Sequence, residues 1–273
     1  MRWQGIACLL LLSVLLPPAA AEPGRALPAI AIIIDDLGDR RAAGERALDL
    51  AGPITYSLLP HTPHAVRLAR LAHASGKEVM LHLPMEAQRG NRLGPGGLTL
   101  SMDRARLLET VAANLGSIPH VAGVNNHMGS LLTRHSDRMG WLMEELKRRG
   151  KLYFVDSRTT PGTVAGREAE AHGVPTVNRD IFLDAIRSHA FVSSQFKRLV
   201  EQARATGWAV GIGHPYPETL TVLEELLPRL REQGVELVPV STLIAYREQR
   251  RFKQWQASLS PSPRAAKSSK PSP

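Results

Sequence analysis

The chain has 273 residues, of which 43% are apolar, enough for the core of one large domain. Its 34 Lys and Arg residues against 25 Asp and Glu residues give a formal net charge of +9. Because the basic residues are scattered and form no dense run with interleaved aromatics, the composition argues against a nucleic-acid-binding protein and supports only a mild attraction to anionic surfaces or polymers.

The first 21 residues have the layout of a cleavable secretory signal. Arg2 precedes an apolar stretch from Ile6 to Leu16, and an Ala-x-Ala cleavage site follows at Ala19–Ala21. The apolar stretch is too short for a comfortable membrane span, which disfavours an uncleaved anchor. The single cysteine, Cys8, lies in this segment, so the mature chain would have no disulfide. We therefore predict a secreted, periplasmic protein without a stable membrane span after cleavage.

Composition also divides the remainder of the chain. Residues 22–28 are predicted to be a short linker, and residues 29–250 a single folded domain. Residues 251–273 are rich in Ser, Pro, Ala and Lys and lack a hydrophobic pattern, which predicts a disordered tail.

Within the predicted domain, short apolar runs alternate with longer amphipathic segments. The runs predicted to be strands lie at residues 29–34, 53–59, 78–83, 121–124, 151–155, 174–177, 208–213 and 235–240. The segments predicted to be helices lie near residues 40–51, 63–75, 102–116, 136–149, 162–172, 188–206 and 217–233, the last kinked at Pro228. Repeated strand–helix units indicate a mainly parallel sheet with helices outside it. Seven or eight units predict an α/β fold, a distorted (β/α)7-8 barrel, with a doubly wound open sheet as the alternative.

Polar residues follow the predicted strands at the end where such folds gather their functional groups. They are Asp35 and Asp36, His82 and Glu86, Asn125, Asn126 and His127, Asp156 and Arg158, and His214. A single histidine after a strand is more often a packing residue than a ligand. Five strand ends that deliver carboxylates and imidazoles to one face nevertheless point together to a site.

The doublet Asp35–Asp36 directly follows a buried apolar run, where two neighbouring carboxylates repel and are costly to desolvate. A divalent, zinc-like cation would offset that cost, since Asp and His are suitable ligands and one position can stay open for water. One carboxylate would then bind the ion and the other act as a general base toward the activated water. The alternative is that the doublet caps the next helix. Asp39 suits that role better, because it stands directly before the predicted helix.

Five segments in order, IIIDDLG, EVMLHLPME, GVNNHMGS, LYFVDSRT and AVGIGHPYPETL, resemble the divergent polysaccharide deacetylase family. That family is distantly similar to the NodB-type carbohydrate esterases, whose fold is a distorted (β/α) barrel of the glycoside hydrolase/deacetylase type. The resemblance covers residues 29–245. It implies a metal-dependent hydrolase of N-acetyl groups on a polysaccharide, with zinc or another divalent transition metal as cofactor.

Carried over by position, the resemblance implies a role for each matching residue. Asp35 would be the general base, and Asp36 a metal ligand. His82 would match the first histidine of the His-x-x-x-His metal motif of the esterases. His214 would be the general acid that protonates the leaving amine, and Asp156 would orient its imidazole.

The chain departs from the esterase pattern in two places. Glu86 stands where the second histidine of the metal motif is expected, so either Glu86 or His127 would complete the ligand set. We favour His127, because imidazole suits zinc and strand ends converge. The arginine- and proline-containing motif after the fourth strand is replaced by NNHMGS, and Asn126 and Arg158 are the predicted substrate contacts.

These residues support three functions. The leading one is a periplasmic deacetylase of a cell-envelope or exported polysaccharide. The second is a non-catalytic glycan- or envelope-binding protein that retains the barrel and the metal site. The third is a hydrolase of another bond, but the only candidate phosphate cradle, GPGGLT at 94–99, follows no strand and is predicted to be a loop over the site.

Overall fold

The computed structural model describes residues 27–90 and 92–259. The predicted signal peptide, most of the predicted linker and the end of the predicted tail lie outside the described residues. The strands are β1 (Ala29–Leu37), β2 (Thr55–Leu58), β3 (Glu78–Met85), β4 (Val121–Met128), β5 (Tyr153–Asp156), β6 (Thr176–Asn178), β7 (Ile181–Phe182), β8 (Trp208–Gly213) and β9 (Glu236–Leu237). The helices are α1 (Arg41–Leu48), α2 (Ala65–Ala74), α3 (Arg104–Ser117), α4 (Ser136–Arg149), α5 (Ala165–Ala171), α6 (His189–Thr206), α7 (Pro217–Leu226) and α8 (Val240–Leu259).

The strands form one curled parallel sheet in the order β6-β5-β4-β3-β2-β1-β8-β7, and β9 pairs with the start of β1. Among the described residues no ladder joins β6 to β7, so the barrel is open along that seam. This curled, half-closed sheet with helices around it confirms the predicted distorted (β/α) barrel. The carboxyl ends of all the strands meet at one end of it.

The apolar run of β1 is buried on both sides of the sheet, as expected of a central parallel strand. Ala31 and Ile33 face the barrel interior, whereas Ile30, Ile32 and Ile34 pack among the surrounding helices. Because side chains alternate along a strand, the residue that follows Ile34 is directed into the barrel.

The final part of the domain differs from the prediction. Residues 235–240, predicted to be a strand, contain only the two-residue β9, and the chain enters α8 at Val240. Val240, Leu243 and Ile244 have the spacing of one helical face, and they are buried with the interior residues of the barrel. The predicted tail boundary at residue 250 therefore falls inside α8, which remains helical as far as Leu259.

Helix α7 ends close to Pro228, where the sequence predicts an interruption. Helix α7 stops at Leu226, and Leu227–Arg229, which contains Pro228, forms a short 3-10 turn. Proline has no backbone N–H to continue the helical hydrogen bonds. No helix in the described part of the chain combines the length and apolar character needed to cross a membrane.

The contact between β4 and β5 leaves no room for a side chain at Gly123. Gly123 pairs with Tyr153, and a Cβ at position 123 would overlap the Tyr153 ring, which is buried. We expect Gly123→Ala to lower the free energy of unfolding by about 2 kcal/mol, the usual cost of overpacking a core. Urea denaturation measures this change.

Gly116→Ala in α3 is the matched control, because nothing lies within 4 Å of a Cβ placed there. Alanine in a helix is favoured over glycine by up to about 1 kcal/mol, so this variant should be at least as stable as the wild type. Equal stability of the two variants would contradict the close β4–β5 contact.

Candidate metal centre and active site

A bulge in β1 brings the two neighbouring aspartates to the same site. Ile34 pairs with Tyr56 and Leu37 with Leu58, so β1 carries one residue more than β2 over this stretch. Asp36 lies within the bulge and has a φ of 57°, a left-handed conformation that Asp tolerates better than most residues. Bulges commonly redirect a side chain beside an active site. Without the bulge, the alternation of side chains would place Asp35 and Asp36 on opposite faces of the sheet.

Asp36, His82 and His127 form a compact group of potential metal ligands. Asp36 Oδ1 lies 3.0 Å from His127 Nδ1 and 3.2 Å from His82 Nε2, and the two imidazole nitrogens are 3.0 Å apart. Ligand atoms around a tetrahedral zinc ion lie about 3.3 Å from one another. Asp36 Oδ1 is buried and accepts no well-formed hydrogen bond from the described residues, although two imidazoles adjoin it. The donor set and the unsatisfied oxygen fit a zinc-like ion with an open coordination position.

Asn125 fixes the orientation of His82. Its Oδ1 lies 2.8 Å from His82 Nδ1 and accepts a hydrogen bond of 2.7 Å from Ser57 Oγ, while its Nδ2 donates to Asp35 Oδ1 at 2.8 Å. An amide oxygen accepts only, so the proton of this contact belongs to His82 Nδ1. The lone pair of Nε2 is then free to face Asp36 and His127, as a metal-ligating histidine requires.

The two aspartates give the site a strongly negative potential. Burial acts to raise the pKa of Asp36, but the close imidazoles of His127 and His82 outweigh it and hold that pKa well below its usual range. Burial acts to lower the pKa of His82, yet the charges of Asp35 and Asp36 outweigh it and raise the pKa to about 9. This point in the barrel therefore favours a positive charge next to Asp36.

On the opposite side of Asp36, His214 is held by Asp184. The Nδ1 atom of His214 lies 2.9 Å from Asp184 Oδ1, and its Nε2 lies 3.7 Å from Asp36 Oδ2. Asp184 Oδ2 also accepts hydrogen bonds from the His214 backbone N–H at 2.6 Å and from Thr219 Oγ1 at 2.8 Å. Burial acts to lower the pKa of His214, but the hydrogen bond and charge of Asp184 outweigh it and raise the pKa. The arrangement favours a protonated imidazole directed at the ligand group.

The ligand group opens into a cleft of about 390 Å³. Asp36 and His127 lie in its lining, together with Tyr216, which follows β8. Gly94 and Pro95 of the loop predicted to cover the site also line this cleft. The cleft is large enough to admit part of a polymer to the buried carboxylates and imidazoles.

Comparison with known proteins assigns the family. The sequence model of divergent polysaccharide deacetylases matches residues 32–244. The chain belongs to this family. YibQ of Escherichia coli strain K12 is 36% identical over 215 residues, which cover 79% of this chain and 67% of YibQ. A protein of Haemophilus influenzae is 35% identical over 214 residues, covering 78% of this chain and 76% of that protein.

Two solved structures share the fold of this divergent polysaccharide deacetylase family member. The crystal structure of ATU2773 from Agrobacterium tumefaciens C58 superposes with a TM-score of 0.77 at 22% identity, covering 82% of this chain and 92% of that one. The peptidoglycan deacetylase PdaC from Bacillus subtilis gives a TM-score of 0.54 at 14% identity, covering 88% of this chain and all of that one. Both agree with the distorted barrel.

The prediction that Asp156 orients His214 is wrong. The carboxylate of Asp156 accepts hydrogen bonds from Arg158 N–H at 2.8 Å, Thr163 Oγ1 at 2.9 Å and Gly166 N–H at 3.3 Å. These partners lie in the loop after β5 and at the start of α5, so Asp156 orders that connection. The carboxylate beside His214 is Asp184, and it follows β7, a strand too short to be recognised from its sequence.

Glu86 lies outside the ligand group, and His127 takes the position beside His82. Glu86 Oε2 accepts a hydrogen bond of 2.7 Å from the backbone N–H of Leu100. The backbone of Glu86 also pairs with Leu98. Glu86 therefore organises the loop after β3 in this family member, which gives its carboxylate a structural role in place of a metal role.

The two residues predicted to contact substrate differ in their surroundings. Asn126 donates to Met128 O at 2.7 Å and accepts from Ser157 N–H at 2.9 Å, so both ends of its amide connect the termini of β4 and β5. Arg158 is exposed, and its guanidinium forms no hydrogen bond or ion pair with the described residues. Only Arg158 therefore has a side chain available to a ligand.

Proposed function

We propose that this protein is a periplasmic, metal-dependent hydrolase that removes N-acetyl or related acyl groups from a polysaccharide of the cell envelope. The observation that carries the proposal is the convergence of Asp36, His82 and His127 between a second carboxylate, Asp35, and the imidazole of His214. Membership of the divergent polysaccharide deacetylase family supports the reaction class. The secretory layout of the first 21 residues supports the compartment.

Asp36, His82 and His127 would hold the metal. When bound there, a zinc-like ion lowers the pKa of water and polarises the acyl carbonyl. The residues of the chain then account for the proton transfers. The water oxygen forms a bond to the acyl carbon, the C–N bond breaks, and the products are a carboxylate and an amine.

Asp35 is suited to take the proton from the attacking water. Asp35 is buried, with only 3% of the residue exposed, and its Oδ1 accepts a hydrogen bond from Asn125 Nδ2. Its Oδ2 accepts no hydrogen bond from the described residues, so one oxygen is free to act as a base. Asp35 Oδ1 lies 3.6 Å from His82 Nδ1, which places the carboxylate next to the ligand group without making it a ligand.

His214 is suited to protonate the departing amine. The hydrogen bond to Asp184 fixes which ring nitrogen faces Asp36, and the same contact raises the pKa of His214, which favours the protonated imidazole. A T-shaped contact with the Phe182 ring at 5.6 Å and stacking on the Tyr216 ring at 5.3 Å hold the imidazole plane. A positioned acid of this kind accelerates a reaction by about 10²- to 10⁴-fold.

The direct test is acetate release by the zinc-loaded protein from N-acetylated chito-oligosaccharides and peptidoglycan. We expect release that stops when the metal is removed by a chelator and returns when zinc is added. If the protein binds zinc but releases no acyl group from any of these glycans, the hydrolase proposal fails. Binding of the glycans without release would then support the glycan-binding function.

We expect Asp184→Asn to lower kcat by about 10²-fold with a smaller effect on KM, because the imidazole of His214 loses its orientation and its protonated form is less favoured. The pH at which activity declines on the alkaline side should shift downward. Initial rates measured over a range of pH test both effects.

Asp156→Asn is the matched control, because it neutralises another buried carboxylate that accepts several hydrogen bonds. It should reduce the stability of the fold and leave kcat within about threefold of the wild type. A large loss of kcat in this variant, with little loss in Asp184→Asn, would restore the role first predicted for Asp156.

A further inference from the structure

Three arginine side chains line the cleft that contains Asp36: Arg40, Arg92 and Arg187. They come from separate segments, immediately before α1, in the loop after β3, and immediately before α6. The carboxylates in the lining are Asp36, which is committed to the imidazoles of the ligand group, and the exposed Asp39. The outer part of the cleft is therefore predominantly cationic.

The three guanidinium groups have no ionic partner among the described residues. Within residues 27–90 and 92–259 none of them forms an ion pair or side-chain hydrogen bond, whereas Arg46 and Arg67 are bound to glutamates at 2.9 Å. Like charges that converge on one cleft raise the local potential and repel each other. A ligand that supplies a negative charge would relieve this repulsion, whereas a neutral sugar would not.

Arg187 occupies the most defined of these positions. Its Cζ lies 3.7 Å from the centroid of the Tyr216 ring, and Tyr216 in turn stacks on His214. A guanidinium stacked on an aromatic face keeps its N–H edge available for a bidentate contact with a carboxylate or phosphate. The stack therefore links a potential anion contact to the proposed general acid.

We infer that the substrate of this cleft is an anionic polysaccharide, an acylated glycan that carries a carboxylate or phosphate outside the acyl group. Arg92 and Arg187 bind that negative charge while the acyl group lies at the ligand group. The inference rests on the proposed function for the identity of the reacting group. The charge preference itself is a property of the cleft and is measured without turnover.

Binding of matched probes to the zinc-loaded protein tests the preference. One probe is an oligosaccharide of alternating glucuronic acid and N-acetylglucosamine, and its partner is the same oligosaccharide with each carboxyl group reduced to the alcohol. A second pair, N-acetylglucosamine 6-phosphate and N-acetylglucosamine, separates phosphate from carboxylate recognition. By isothermal titration calorimetry at low salt, we expect the anionic member of at least one pair to bind about tenfold more tightly, equivalent to about 1.4 kcal/mol.

The double variant Arg92→Gln, Arg187→Gln should lose this tenfold preference and keep the wild-type affinity for the neutral probe. The control double variant Arg70→Gln, Arg231→Gln has the same change in net charge, and neither arginine lines the cleft. It should retain the preference, with thermal unfolding confirming that both proteins are folded. Equal binding of both members of each pair, or an equal loss of preference in both double variants, would overturn the inference.

Acetate release from the same probes separates this inference from the proposed function. A charge preference in binding without acetate release from any probe supports the ligand class and contradicts the hydrolase. Equal binding and equal acetate release from the anionic and neutral forms supports the hydrolase and contradicts the ligand class.

Discussion

Asp36→Asn is expected to weaken zinc binding by more than about 100-fold. Substitution of a residue that only supports a metal ligand typically costs about 10- to 100-fold in metal affinity. Asp36→Asn removes a ligand itself, the sole carboxylate of the ligand group. Asparagine keeps the size of the side chain and tolerates the left-handed backbone at position 36, so the bulge in β1 is retained. Competition with a chromophoric chelator measures the affinity.

The same substitution should remove most of the stabilisation that zinc gives to the fold. A free metal concentration of about 100 times Kd stabilises a protein by about 2.7 kcal/mol when only the folded state binds, and the unfolding temperature rises accordingly. We expect this rise in the wild type and a much smaller one in Asp36→Asn at the same zinc concentration, because a 100-fold weaker site gains at most about 0.4 kcal/mol.

Asp39→Asn is the matched control, because Asp39 lines the same cleft but lies outside the ligand group. It should bind zinc with wild-type affinity. Zinc binding by Asp36→Asn at the wild-type level would show that the metal is held elsewhere.

The main part of the site could be predicted from the sequence because it depends on strands with strong local signals. β1 and β3 are long apolar runs, so the positions of Asp35, Asp36 and His82 at strand ends follow directly from them. The sequence alone does not distinguish His127 from Glu86 as the third ligand, since that depends on which side chain is directed into the barrel. The structure groups His127 with the other two ligands.

What the sequence could not predict depends on pairing between distant segments. Asn125 orients His82 because the two are register partners on β3 and β4, and a register is a property of both strands. Asp184 has no recognisable signal in the sequence, because β7 has only two residues, too few for a periodic pattern, and is held in place by pairing with β8. A short strand stabilised by its neighbour leaves no signal in its own sequence.

The C-terminal helix illustrates the opposite difficulty, a local pattern with two interpretations. The run VELVPV satisfies the rules for a short buried strand, yet its last residue begins α8. The decisive feature is the burial of Val240, Leu243 and Ile244 in the barrel interior, which a helix at that end of the barrel achieves better than an extended chain. The helix at Val240 is therefore determined by packing against the barrel interior and not by the sequence of the VELVPV run.

Asp35→Asn should lower kcat for acyl release by about 10³-fold and leave zinc affinity within about tenfold of the wild type. The variant removes the basic oxygen proposed to accept the proton of water, and general base catalysis contributes about 10²- to 10⁴-fold. The amide oxygen of the substituted side chain can still accept from Asn125 Nδ2, the contact that Asp35 Oδ1 makes, so the orientation of His82 should persist. Pre-steady-state rates and zinc titration on the same preparation give both quantities.

Ser57→Ala distinguishes a base from a positioning residue. It removes the hydroxyl that donates to Asn125 Oδ1, which loosens the amide that orients His82, and it leaves both the Asp35 carboxylate and its hydrogen bond from Asn125 Nδ2 in place. We expect zinc affinity to change more in this variant than in Asp35→Asn, and the catalytic rate at saturating zinc to fall less. If Asp35→Asn instead loses zinc affinity in proportion to activity, Asp35 acts through His82. Asp35 would then support the metal site and would not be the base.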